Sequence, residues 1–311
     1  MNVFDVTLPF SYFALSIFFF LGILFTILVF GTLTAILVIV CIYSGILRIS
    51  PILEACTTTI KYIYPGFLES LRKNLKESFI LDYPNGKPIQ KPYILLFHPH
   101  GLFSFTNIFH IGTDITDWFI RPIQATVLDK LYWLPFGKEI LDRLKCVPSK
   151  YEEMKEVLTN GHSLSVCLGG VREILYTEPN LLKLSIQNKR GVFRLAIQTG
   201  TPLIPILSYG ENELFDIVKS EWLSWIQSFL IEYGLCIPLP TIESCKSWFS
   251  ILYGPLKSPI RTVIGSPIDV GHARDPTEIE IIELRDRYFN ALKQLYYKTR
   301  PTNYAKDLEI I

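Results

Sequence analysis

Two histidines stand close together at the end of an apolar stretch, and imidazole is the side chain best suited to move a proton near neutral pH. His98 and His100 flank Pro99, follow the strand-favouring residues 93–97, and precede Gly101. The pattern predicts a buried strand that ends at the histidines, because proline cannot donate to a strand ladder and glycine permits a tight turn. Open α/β sheets bind their ligands at the carboxyl ends of strands. The sequence therefore predicts a general base here.

Two other interpretations of the histidine pair stay open. The rings could simply hydrogen-bond the backbone, or they could bind a metal, because His-x-His at a strand end is also a metal-ligand spacing. The remaining histidines, His110, His162 and His272, lie in no ligand-like cluster. We therefore expect no metal, and a metal-dependent membrane hydrolase is kept as the distant alternative.

Several familiar catalytic motifs do not occur in the sequence. There is no Gly-x-Ser-x-Gly elbow, no Gly-x-x-x-x-Gly-Lys-Ser/Thr loop and no Gly-x-Gly-x-x-Gly fingerprint, which disfavours a serine hydrolase and nucleotide-driven chemistry. The net charge of +1 with scattered basic residues argues against a nucleic-acid partner. A base without a protein nucleophile suggests that it activates an alcohol brought by the substrate.

A carboxylate follows the second strong strand pattern. Residues 163–168 are a strand-like run that ends in Gly169-Gly170, and Glu173 comes three residues later. Paired glycines let a backbone or a ligand approach closely. The pattern predicts that Glu173 reaches the same sheet edge as His100 and orients the imidazole, as a carboxylate does in hydrolase triads.

Two further groups could bind substrate. Arg190 and Arg194 lie at the start of a predicted helix, a position that suits phosphate groups, although a solvated basic face fits the charge pattern equally well. Glu211, Asn212 and Glu213 follow the third strand pattern. They are candidates for substrate contacts at the sheet edge, or for structural caps.

The start of the chain is apolar over an unusual length. No charged residue occurs between Asp5 and Arg48, and a single crossing needs only about 20 apolar residues. A transmembrane hairpin fits this length better than one helix, and the basic residues that follow it predict a cytosolic position for the remainder. A buried core hairpin is the alternative.

The rest of the chain alternates strand and helix patterns, which is typical of an α/β domain. We predict a transmembrane hairpin anchor at 1–50, a membrane-surface amphipathic connector at 51–88 and a cytosolic α/β domain at 89–311. Near the end, Asp275 is the expected cap of a last helix, with Pro276 at its first position.

Several ordered blocks together resemble the type 2 diacylglycerol acyltransferases, a family that also includes monoacylglycerol and wax-alcohol acyltransferases. The resemblance covers nearly the whole chain. The blocks are His98-Pro99-His100-Gly101, Gly169-Gly170-Val171-Arg172-Glu173, Arg190-Gly191-Val192-Phe193-Arg194-Leu195-Ala196, Gly200, Pro205, Tyr209-Gly210-Glu211-Asn212-Glu213 and Val263-Ile264-Gly265-Ser266-Pro267-Ile268.

The resemblance implies an α/β fold with an N-terminal transmembrane helical hairpin and a glycerolipid-acyltransferase-like mixed β-sheet flanked by helices. It implies esterification of diacylglycerol from acyl-CoA at the endoplasmic reticulum membrane, with product stored in lipid droplets. Acyl-CoA is then a co-substrate and no other cofactor is expected. The partners are acyl-CoA and a neutral-lipid acceptor, and a homo-oligomer is compatible with the sequence. A non-catalytic lipid-droplet protein is the competing class.

The resemblance also assigns roles to residues. His100 is the expected base, with His98 positioning the loop or stabilising the oxyanion, and Gly101, Gly169 and Gly170 near the substrates. Related glycerolipid acyltransferases use a His-x4-Asp pair, whereas Phe103 and Phe105 occupy the candidate positions here. Glu173 is the expected substitute. Departures from the family pattern at Val171-Arg172, Val192 and Ser266 concern substrate preference.

Overall fold

A computed structural model describes most of the predicted α/β domain. The described residues are 79–82, 92–102, 104–107, 123–133, 138, 141–142, 144–216, 225–227, 230 and 259–311. The chain divides into two compact units, Met1–Ile63 and Tyr64–Ile311, and every described residue belongs to the second unit. The expected hairpin and most of the connector lie outside the described residues. Among the residues described, no helix is both long and apolar enough to cross a membrane.

In the part of the domain that the structure describes, the strands form one seven-stranded mixed sheet and a small two-stranded sheet. The strands are β1 Phe79–Asp82, β2 Ile94–His98, β3 Ile123–Val127, β4 Cys146–Pro148, β5 Ser163–Cys167, β6 Lys183–Leu184, β7 Leu203–Tyr209, β8 Ile260–Ile264 and β9 Glu309–Ile310. The large sheet has the order β1-β8-β7-β2-β5-β3-β4, and β6 pairs with β9. Strand β2 is parallel to both of its neighbours, β5 and β7, whereas β8 is antiparallel to β7. The α/β mixed sheet is confirmed.

Three helices with complete bounds pack on one face of this sheet. They are α1 Tyr151–Thr159, α2 Gly191–Thr199 and α3 Glu278–Thr299, and two short 3₁₀ helices span Asp129–Trp133 and Gly170–Tyr176. Successive side chains of a strand point to opposite faces, so Ile94 and Leu96 join the core beneath the helices while Leu95 and Phe97 join the core on the other face. By the same alternation His98 faces the helices.

The predicted start of the α/β domain is too late. Residues 79–82 were assigned to the connector, but they form the edge strand β1, which runs parallel to β8. Asp82 also forms an ion pair with Arg261 of β8. Four residues are too few to give a clear strand periodicity, so only the long-range pairing reveals this strand.

The predicted cap of the last helix is also wrong by two residues. The cap of α3 is Thr277, whose hydroxyl accepts a hydrogen bond from the Glu280 N–H, at 3.3 Å. The Glu280 carboxylate accepts in turn from the Thr277 N–H, at 2.7 Å. This reciprocal pair satisfies two N–H groups at the helix start, which explains why the helix begins after Thr277 and not after Asp275.

Candidate active site

The carboxyl ends of three adjacent parallel strands form the site. Strand β2 ends at His98, β5 at Cys167 and β7 at Tyr209, and the segments that follow these strands carry the predicted residues. Glu173 accepts a hydrogen bond from the His100 N–H, and Glu211 accepts one from the Phe105 N–H. Both acceptors thus reach the segment that follows β2, of which residues 99–102 and 104–106 are called the histidine turn below. The expectation that these groups share one sheet edge is therefore confirmed.

His98 is buried on the helix side of the sheet. Its side chain is 0% exposed, and its Nε2 lies 2.7 Å from the hydroxyl of Tyr288 on α3. The His98 Nδ1 has no hydrogen-bond partner within the described residues. Burial lowers the pKa of His98 to about 3, so the ring is neutral at physiological pH. This geometry favours a positioning role for His98, with Tyr288 as its anchor.

His100 is only partly buried, and one hydrogen bond fixes its tautomer. Its Nδ1 lies 3.0 Å from the carbonyl oxygen of Gly101. A carbonyl only accepts, so Nδ1 carries the proton and Nε2 of the neutral ring keeps its lone pair. Burial lowers the pKa of His100, the Gly101 contact raises it, and the positive charge of Lys189 lowers it. The ring is therefore neutral at pH 7 and presents Nε2 as a base.

Glu173 reaches the backbone of His100 and not its ring, which corrects the expected contact. Its Oε2 accepts a hydrogen bond from the His100 N–H at 2.8 Å, and its Oε1 accepts from the Ser185 N–H at 3.1 Å. Each of the two carboxylate oxygens therefore accepts one hydrogen bond from the main chain. Glu173 therefore holds the backbone at His100, and the Gly101 carbonyl is the group that meets the ring, where the sequence predicts Glu173.

Burial of Glu173 explains the glycine beside it. The side chain is 2% exposed, and burial raises its pKa to about 7 against the opposing effect of the two N–H donors. The carboxylate lies across Gly169, where a Cβ atom would come within 1.8 Å of Oε1. Gly169 therefore makes room for Glu173 and does not present an open surface to substrate. Gly170 has a φ of +61°, and a Cβ there would meet no atom within 4 Å.

Glu211 holds the same turn from the other side. It is 2% exposed, and its two oxygens accept from the Phe105 N–H at 2.6 Å and the Thr106 N–H at 3.1 Å. Gly101, with a φ of +57°, is in close contact with it, since a Cβ there would lie 2.8 Å from the Glu211 Cγ. Glu211 and Gly101, both predicted near the substrates, therefore contact each other and the turn.

Asn212 and Glu213 also make structural contacts. The Asn212 amide donates to the Leu181 carbonyl at 2.9 Å. The Glu213 Oε1 accepts from the Asn180 N–H at 2.7 Å and from the Tyr304 hydroxyl at 2.8 Å. Both side chains thus connect the segment after the Gly170–Tyr176 3₁₀ helix to the end of β7. These are contacts of the structural kind that the sequence left open beside substrate binding.

Arg190 and Arg194 share one carboxylate. Arg190 Nη1 lies 3.0 Å and Arg194 Nη2 lies 2.6 Å from the two oxygens of Glu278, which belongs to the first turn of α3. Both arginines are substantially exposed. One carboxylate balances only one of the two positive charges, so an anion can still bind at this pair.

The sequence patterns did not single out Lys189 or Tyr288. Lys189 directly precedes the predicted arginine pair, and its charge acts on both His100 and Glu173. Tyr288 is one of several buried residues of α3. Its position on the apolar face of α3 is the same signal that any core residue gives, so sequence could not identify it as the partner of His98. In the described part of the chain, no group of three His, Cys, Asp or Glu residues could hold a metal ion.

Comparison with known proteins identifies the family. Residues 84–310 match the diacylglycerol acyltransferase family model. Diacylglycerol O-acyltransferase 2A of Umbelopsis ramanniana is 31% identical over 70% of this chain and 64% of that protein. 2-Acylglycerol O-acyltransferase 3 of Homo sapiens is 30% identical over 67% of this chain and 64% of that protein. The alignments thus span less than two thirds of these relatives. The chain belongs to the diacylglycerol acyltransferase family.

One solved structure resembles the chain more distantly. It is the 1-acyl-sn-glycerophosphate acyltransferase PlsC of Thermotoga maritima, with a TM-score of 0.42 and 16% sequence identity. The alignment covers 73% of this chain and 79% of that one.

The contact between Gly169 and Glu173 gives a first test. We predict that Gly169→Ala lowers the free energy of unfolding by about 1–3 kcal/mol, because the new methyl group displaces the Glu173 carboxylate from the His100 N–H. Thermal unfolding of the detergent-solubilised full chain measures the change. Gly191→Ala is the matched control, since a Cβ there meets no atom within 4 Å. An unchanged melting temperature for Gly169→Ala contradicts the contact.

Proposed function

We propose that the protein is an acyl-CoA-dependent O-acyltransferase that esterifies diacylglycerol to triacylglycerol. The observation that carries the proposal is the hydrogen bond from His100 Nδ1 to the Gly101 carbonyl, at 3.0 Å, because it leaves Nε2 as a proton acceptor at a strand end. The names of the two family relatives support the acyl-transfer chemistry and an acylglycerol acceptor. The proposed location is the endoplasmic reticulum membrane, with the catalytic domain facing the cytosol.

The proposed reaction is a direct transfer without an acyl-enzyme. Nε2 of His100 accepts the proton of the acceptor hydroxyl while its oxygen attacks the thioester carbonyl carbon. The tetrahedral intermediate then expels the CoA sulfur as the C–S bond breaks, and the imidazolium returns the proton to the thiolate. Proton transfer of this kind contributes typically about 10²–10⁴-fold, so the placement of the two substrates supplies much of the remaining acceleration.

The Gly101 carbonyl and Glu173 have separate parts in this reaction. The carbonyl keeps Nδ1–H in place throughout, so the proton always enters and leaves at Nε2. Glu173 holds the backbone of His100 and so fixes where Nε2 stands relative to the substrates. Under the proposal, Arg190 and Arg194 bind the CoA phosphates by their charges, with Glu278 as the group that the phosphates must displace or join.

Two acceptors other than diacylglycerol are carried as alternatives. A monoacylglycerol acceptor is favoured by the name of the Homo sapiens relative, and a long-chain alcohol would give a wax ester by the same chemistry. The acceptor hydroxyl loses its proton to Nε2 in all three cases. The distinction therefore lies in the pocket around the acceptor and not in the histidine.

The first test of function uses His100. His100→Ala should lower the formation of labelled neutral lipid from oleoyl-CoA by at least about 10²-fold, because the proton acceptor is lost. Microsomes containing the full chain are supplied in parallel with diacylglycerol, monoacylglycerol or hexadecanol, and the best acceptor names the substrate. His162→Ala is the matched histidine control and should keep wild-type activity. Near-normal activity of His100→Ala would refute the assignment; no product with any acceptor would favour the hydrolase or a non-catalytic role.

The buried carboxylates predict an acidic limit to the rate. Burial raises the pKa of Glu173 and that of Glu211 to about 7, and both oxygens of each face N–H donors. As the pH falls through about 7, each carboxylate loses its charge and gains a proton on an oxygen that faces an N–H donor, so its hydrogen bonds to the backbone around His100 weaken and the rate decreases. Burial lowers the pKa of His100 from its ordinary value, so titration of the histidine alone would place the loss of activity at a lower pH than titration of the two carboxylates.

The saturated rate measured between about pH 5.5 and pH 8.5 checks this expectation. The wild type should lose activity below about pH 7, more steeply than a single titration predicts. Glu173→Gln removes one of the two titrating groups and should give a shallower decline from a lower plateau. A wild-type rate that stays constant down to about pH 6 contradicts the expectation.

The arginine pair predicts how acyl-CoA binds. Arg190→Ala combined with Arg194→Ala should raise the KM for acyl-CoA about two- to fivefold at low ionic strength, since exposed charge pairs contribute up to about 1 kcal/mol. Glu278→Gln should lower that KM, because the competing carboxylate charge is gone. Arg300→Ala, which removes an exposed arginine paired with Asp307, is the control. A KM that neither change alters would exclude the arginines from CoA binding.

A further inference from the structure

Glu211 comes from the strand next to the histidine strand. It follows β7 by two residues, and β7 runs parallel to β2 with Leu207 opposite His98. From there its side chain crosses to the turn after β2, where its two oxygens accept the N–H groups of Phe105 and Thr106, at 2.6 Å and 3.1 Å. The carboxylate therefore ties the segment that follows the histidines to the neighbouring strand.

The stem of Glu211 lies against Gly101, whose carbonyl orients the catalytic ring. A Cβ on Gly101 would stand 2.8 Å from the Glu211 Cγ, so the two residues are in direct contact. The carbonyl of Gly101 accepts the Nδ1–H of His100 at 3.0 Å. The same turn is closed by the Ser104 N–H, which donates to the His100 carbonyl at 2.7 Å. Gly101 thus packs against the Glu211 side chain, and its carbonyl accepts the hydrogen bond from the imidazole of His100.

We infer that Glu211 is a positioning residue that fixes the tautomer and direction of His100 through Gly101 and the backbone of residues 105 and 106. The inference rests on the proposed function of His100 as the base. Both Glu211 oxygens face N–H donors, and an ionised carboxylate accepts at both oxygens. Glutamine has nearly the same shape but accepts at only one of its two end atoms, so it turns an N–H toward an N–H.

The consequence of losing Glu211 is a misplaced base. If the turn relaxes, the Gly101 carbonyl moves away from Nδ1, and the proton is then free to occupy Nε2, which removes the acceptor. The imidazole tautomer is worth about 10⁴-fold in the serine-protease triad, and a shift of about 1 Å in a reacting group can cost about 100-fold. We therefore expect Glu211→Gln to lower kcat at least about tenfold while both substrates bind normally.

The test measures kcat and both KM values with the full chain in microsomes. Glu211→Gln should lose kcat with the KM for acyl-CoA and for the acceptor within about twofold of wild type. Tyr132→Phe is the control for stability, because it removes the hydrogen bond from the Tyr132 hydroxyl to the Cys146 carbonyl, at 2.6 Å, on the edge strand β4 and should leave kcat unchanged. Glu211→Asp, which keeps both acceptor oxygens, should retain more kcat than Glu211→Gln; the reverse order overturns the inference.

A double-mutant cycle separates this inference from the proposed function. If Glu211 acts only through His100, Glu211→Gln has no further effect on the residual rate of His100→Ala. An equal loss in both backgrounds shows that Glu211 acts independently, and a normal kcat for Glu211→Gln beside an inactive His100→Ala removes the positioning role alone. If His100→Ala itself stays active, the proposed function fails as well.

Discussion

The hydrogen bond between His100 Nδ1 and the Gly101 carbonyl is the interaction on which the site depends. It keeps the proton on Nδ1 and leaves Nε2 as the free nitrogen, and the group that accepts the hydrogen bond is an uncharged carbonyl. A carboxylate in that place would stabilise the imidazolium and raise the pKa of the ring. A carbonyl stabilises it less, so with burial and the Lys189 charge also acting the pKa stays low. Such a base stays unprotonated at pH 7 and, under the proposed function, releases its proton readily to the leaving thiolate.

The turn that carries this bond is held through its backbone. Glu173 and Glu211 follow β5 and β7, the two strands beside β2. In each carboxylate both oxygens accept hydrogen bonds from main-chain N–H groups. Each also lies across a glycine that has no Cβ to obstruct it. The raised pKa values show that burying the two carboxylates costs stability. That cost is offset by the rest of the fold, and the gain is a histidine turn held from both sides.

The sequence was enough to predict that these residues lie at one sheet edge, but not which atoms they contact there. Strands β2 and β8 were predictable because their apolar runs are bounded by turn residues, and the common edge of Glu173 and His100 follows from parallel strand ends. Which atom Glu173 meets does not follow, because its rotatable side chain can reach either the ring or the backbone. Strand β1 was missed since its four residues form a strand only by pairing with β8. The site prediction therefore named residues that lie at one sheet edge, while the contacts that each of them makes came only from the structure.

Helix α3 connects the two halves of the proposed chemistry. Its first turn carries Glu278, which pairs with Arg190 and Arg194, and Tyr288 further along anchors His98. A rise of about 1.5 Å per residue places these two points about 15 Å apart along a rigid element. Under the proposed function, an acyl-CoA bound through its phosphates at the arginines must extend over a distance of this order to bring its thioester to the histidine turn. The helix therefore sets the separation between anchoring and reaction, which neither end can adjust alone.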